Sequence, residues 1–81
     1  MSNPSHITLD QVPLGTPVEV VGTEDNETGR RLMDLGITPG ITVEILFTAP
    51  GGCPVAVLVN YDYTLGVRLS EIKFITVYLP I

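Results

Sequence analysis

The chain has 81 residues, 44% of them hydrophobic, enough for one domain with a thin core, since a chain this small buries only about 60–65% of its unfolded surface. Four Lys and Arg against nine Asp and Glu give a net charge of −5, which opposes a nucleic-acid partner because phosphate backbones are held by clustered cations. The apolar runs are a few residues each, far below the roughly 20 of a membrane span, and MSNPSHITL lacks the basic start and apolar run of a signal peptide. A cytoplasmic location without membrane insertion is expected.

In chain order, Met1 to His6 reads as a loose polar terminus and 7–81 as a single domain. Ile7, Leu9, Val12 and Leu14 suit a short turn under a sheet, with Thr8 as its cap. PVEVVG, Pro17 to Gly22, predicts a first strand with Val18 and Val20 on one side. TEDNETG is an acidic loop in which Asn26 or Thr28 caps a helix, its carboxylates suited to the positive helix start.

RRLMDLGITPG, residues 30 to 40, is a helix stopped twice. Leu32 and Leu35, three apart, predict one buried stripe. Gly36 supplies the left-handed residue that closes a helix end, and Pro39–Gly40 fit a type II turn. ITVEILF then alternates as a strand with Ile41, Val43, Ile45 and Phe47 on its apolar face. APGGCP reverses the chain, and VAVLVN predicts a third strand buried on both sides. YDY turns again, TLGVRL is a fourth strand, SEIK a single helical turn from Ser70, and FITVYL a fifth strand. About five short strands with one short helix predict a mainly β fold, a small SH3-like barrel.

Few residues offer reaction chemistry. His6 is the sole histidine and Cys53 the sole cysteine. They are weak metal candidates, because a structural zinc site takes four Cys or His ligands. The lone thiol forms no internal disulfide and suits a reducing compartment. Glu24, Asp25 and Glu27 lack the spacing and glycine of a calcium loop. APGGCP lacks the lysine of a phosphate-binding loop. Arg30, Arg31 and Arg68 call for carboxylate partners among Asp34, Glu44 and Glu71. No catalytic residue is assigned, no cofactor is required, and the expectation is a non-enzymatic module that works by surface contact.

Three stretches carry a resemblance. RRLMDLGITPGITVEIL, APGGCPVAV and VRLSEIKFITV together resemble the FeoA family of small cytosolic proteins of bacterial ferrous iron uptake, over about residues 7 to 77. The pattern falls on Arg31, Leu32, Leu35, Gly36, Pro39 and Gly40, then Ala49, Pro50, Gly52 and Pro54, then Arg68. Cys53 stands where a small acidic residue is expected, and Val67 replaces a leucine. The resemblance implies an SH3-like barrel that assists FeoB, a membrane ferrous transporter with a cytosolic G-protein domain. Met1 and the lack of a helix-turn-helix favour a free-standing form over the related C-terminal domain of metal-dependent repressors. The alternative is a domain that senses or delivers Fe(II) directly, with a transition metal bound. A weak homo-oligomer is left open. For docking, the low-charge segments Ile37, Thr38 and Pro39, with Ala49 and Pro50, are the expected contact residues. Ile37 has a competing role as a helix-end hydrophobic contact.

Overall fold

The computed structural model describes residues 5–79. Among these residues a mainly β fold contains one short helix and six strands, where about five are expected. In chain order the elements are β1 (His6–Thr8), β2 (Val18–Thr23), α1 (Glu27–Asp34), β3 (Thr42–Thr48), β4 (Val55–Val59), β5 (Tyr63–Val67) and β6 (Ile75–Tyr78). Single 3-10 turns lie at Leu9–Gln11, Pro50–Gly52 and Ile72–Phe74. The strands form one antiparallel sheet in the order β1-β6-β2-β3-β4-β5. Val18 and Glu19 of β2 pair with β3, while Val20 to Thr23 pair with β6 across a bulge. One bent strand thus serves both halves, which wraps the sheet around a single core.

That core follows from the alternation. Val18 and Val20, Val43 and Ile45, and Val55, Val57 and Val59 all point inward and are buried. Ala56 on the other face of β4 is also buried and Leu58 is half-buried, close to the expected two-sided burial. No helix among the described residues is long and apolar enough to cross a membrane.

Several details depart from the expected elements. Residues 1–4, most of the expected loose terminus, lie outside the described residues, as do 80 and 81. His6, its last residue, opens β1 and pairs with Tyr78 of β6. The Thr8 hydroxyl donates to the Asp10 carboxylate and makes no backbone cap. Leu9 and Val12 are buried, but Leu14 is exposed. The last turn begins at Ile72 and not at Ser70.

Phe47 leaves the apolar face for a definable reason. Ile45 pairs with Val57, but Phe47 pairs with Ala56, so Leu46 is an extra residue in β3. One inserted residue inverts the alternation beyond it. Phe47 is therefore exposed.

The helix begins at Glu27, directly after Asn26. Asn26 is extended and its side chain accepts from the Gly29 N–H at 2.8 Å, which is one of the two proposed caps. Leu32 is buried, whereas Leu35 is 40% exposed and Ile37 is 0% exposed. The two-leucine stripe is corrected to a Leu32–Ile37 pair. The helix ends at Asp34, so Leu35 sits on the cap with φ −84° and ψ 2° and turns away from the stripe.

These burials set an order of stability. Ile37→Ala is expected to cost about 2–5 kcal/mol, as for a filled core site. Leu35→Ala should cost less, about 1–2 kcal/mol, because 40% of that residue stays exposed. Urea denaturation of the two variants checks the order, and a larger loss at Leu35 would contradict the packing.

Candidate functional site at the end of the helix

The helix end is built from backbone chemistry. The Gly36 N–H donates to the Met33 carbonyl at 3.0 Å and the Ile37 N–H to the Leu32 carbonyl at 3.1 Å. These two bonds form a Schellman closure, and they require a positive φ at Gly36, which is +109°. They also fold Ile37 back against Leu32 in the core. Thr38 to Ile41 form the second stop, with the Ile41 N–H donating to the Thr38 carbonyl at 3.3 Å and Gly40 at φ +94°. The Gly40 N–H then reaches the Val20 carbonyl at 2.9 Å, which ties the turn to β2.

Three tertiary contacts fix the helix. The Tyr63 hydroxyl, from β5, donates to the Leu35 carbonyl, one of the acceptors a helix end leaves open. Arg31 forms an ion pair with Glu71. The same Glu71 carboxylate accepts from the Arg68 backbone N–H at 3.3 Å, so one side chain joins the helix to the turn after β5. Gly29 is buried, and a Cβ there would lie 1.8 Å from the Glu24 carbonyl oxygen. The loop before the helix can pass that closely only over a glycine.

Gly29 and Tyr63 were not among the expected residues. Tyr63 gave no signal beyond its place in a turn. Of the three carboxylates considered for the arginines, Glu71 takes Arg31; Arg30 instead pairs loosely with Asp25 at 3.4 Å, both exposed. Among the described residues the Arg68 guanidinium is in no ion pair.

The expected contact residues separate. Ile37 is core, which removes it from any docking surface. Thr38 is half-buried and Pro39 exposed, beside the exposed Leu35 and the 41% exposed Tyr63. These residues share one rim at the helix end. Ala49 is half-buried and Pro50 exposed at the far end of β3, roughly 20 Å away along a seven-residue strand.

The metal candidates also stand apart. His6 packs edge-on against Tyr78 in β1–β6, with ring centroids 5.0 Å apart. Cys53 is an exposed free thiol after the turn that follows β3. Among the described residues no three His, Cys, Asp or Glu side chains gather. The described residues do not supply the four Cys or His ligands of a closed metal site within one chain.

The FeoA domain family model matches residues 7–79. A FeoA-like protein from Clostridium acetobutylicum is 32% identical, with 98% of this chain and 92% of that chain covered and a TM-score of 0.84. A FeoA protein from Chlorobium tepidum is 34% identical, covering 90% of this chain and 70% of that one, with a TM-score of 0.77. Stenotrophomonas maltophilia FeoA, solved in complex with zinc and described as an SH3 domain protein and a candidate activating factor of ferrous iron transport, is 32% identical. It covers 88% of each chain at a TM-score of 0.75. None of the curated proteins compared matches the chain.

Gly36 and Tyr63 should be coupled. A Cβ at Gly36 would lie 1.9 Å from the Tyr63 hydroxyl oxygen, and the positive φ adds backbone strain of about 1 kcal/mol or more. Tyr63→Phe alone should cost about 0.5–1.5 kcal/mol, one hydrogen bond. The pair should cost less than the sum of the singles, because removing the hydroxyl relieves the clash. Denaturation of the two single variants and the double variant measures this, and strict additivity would contradict the contact.

Proposed function

The chain belongs to the FeoA domain family, and from that premise we propose that it is a cytosolic accessory protein of ferrous iron uptake. It acts by protein contact on a FeoB-type transporter, at that transporter's cytosolic G-protein domain. The observation that carries the reading is the family match across 7–79. It agrees with an acidic domain in which, among the described residues, no three His, Cys, Asp or Glu side chains gather. The rim at the helix end is the contact surface. Leu35, Pro39 and Tyr63 are exposed there, yet their backbones are locked by the closures described above, so little conformational entropy is lost on association. Ala49 and Pro50 form the competing surface.

Direct metal binding is the second reading, favoured by the zinc in the Stenotrophomonas maltophilia relative. In this chain His6 lies in β1 and Cys53 between the Pro50–Gly52 turn and β4, so a complete ligand set would need donors from a second molecule.

Calorimetric titration with the cytosolic domain of a FeoB-type transporter tests the contact. Leu35→Asp and Pro39→Asp should leave the melting temperature within a few degrees of the parent and weaken binding by about tenfold or more. Ala49→Arg and Pro50→Asp should bind as the parent does. Loss confined to the second pair would move the surface to the β3–β4 end, and a parent protein that does not bind would overturn the reading.

A further inference from the structure

β5 ends the strand order, and its outer edge pairs with no strand among the described residues. Edge strands are normally blunted by brevity, charge, proline or a bulge, because their unpaired N–H and C=O groups accept any extended chain. β1, the opposite edge, is only three residues long. β5 has five residues, YTLGV, with neither charge nor proline. It pairs with β4 in unbroken register from Val59–Tyr63 to Val55–Val67, while the bulges fall in β2 and β3.

Charge appears only at the two ends. Asp62 precedes the strand and Arg68 follows it, both exposed. Among the described residues neither is in an ion pair. Each lies three residues from Leu65, and both share the side-chain parity of Thr64 and Gly66, the exposed face of the strand.

We propose that a second copy of this chain pairs with β5, antiparallel, across a two-fold axis at Leu65. In that register Asp62 of each copy stands opposite Arg68 of the other, so the axis produces two identical ion pairs. Thr64 of each copy faces Gly66 of the other, which carries no side chain of its own. The strand edge supplies main-chain hydrogen bonds and the terminal charges set the register. A shift of one residue would move both charges off their partners. Five residues per copy make a small interface, so the dimer is weak, with a dissociation constant on the order of 0.1 mM.

Sedimentation equilibrium of the whole chain tests the pairing. D62R places arginine opposite Arg68 at both ends, and R68D places aspartate opposite Asp62. Each single variant should weaken dimerisation by about tenfold or more at low salt. The double variant D62R/R68D should restore it, and an equimolar mixture of the two single variants should form a heterodimer that neither forms alone. A parent monomeric at about 1 mM, singles that dimerise like the parent, a double variant without recovery, or open-ended assemblies would each overturn the proposal.

Discussion

The bond from the Ile37 N–H to the Leu32 carbonyl fixes where the helix stops and what the next side chain does. It exists only because Gly36 adopts φ +109°, a region costly for residues with a Cβ. With the chain reversed there, Ile37 enters the core beside Leu32, and Leu35 is left outside on the cap. The Pro39–Gly40 turn then delivers the chain to β3 while its Gly40 N–H holds β2. A single closure thus couples the helix to the bent strand that both halves of the sheet share.

The polar contacts around this closure act as ties more than as sources of energy. Arg31–Glu71 is partly exposed, and pairs of that kind contribute about 1 kcal/mol or less. Its value lies in geometry, because Glu71 also accepts from the Arg68 backbone. Tyr63 adds the corresponding link from β5 to the helix end. The burial of apolar side chains stabilises the fold, and these links hold the rim at a fixed angle to the sheet.

Legibility in the sequence followed how local each cause is. Gly36, Pro39 and Gly40 announced their turns because positive φ and a missing N–H are properties of the residues themselves. The strands β2 and β4 showed in the alternation of valines. Leu35 was misplaced because a spacing of three is a sound helical stripe wherever the helix continues, and here it ends one residue earlier. Ile37 carried both readings, and only the fold-back decides between them. Phe47 was misplaced because a bulge is set by pairing with β4, which β3 alone does not reveal. β1 is too short to show a period. Gly29 and Tyr63 act through neighbours that only the folded chain supplies, and Glu71 was one of three equally plausible partners until the turn after β5 was in place.

Amide hydrogen exchange at Ile37 tests the helix closure most directly. If the bond to Leu32 anchors the structure, the Ile37 amide should exchange only on global unfolding, with protection matching that of Val57 in the central strand β4. Exchange at Ile37 as fast as at the exposed turn residue Gly51 would show that the helix end opens independently, and the closure would then not be what the fold depends on.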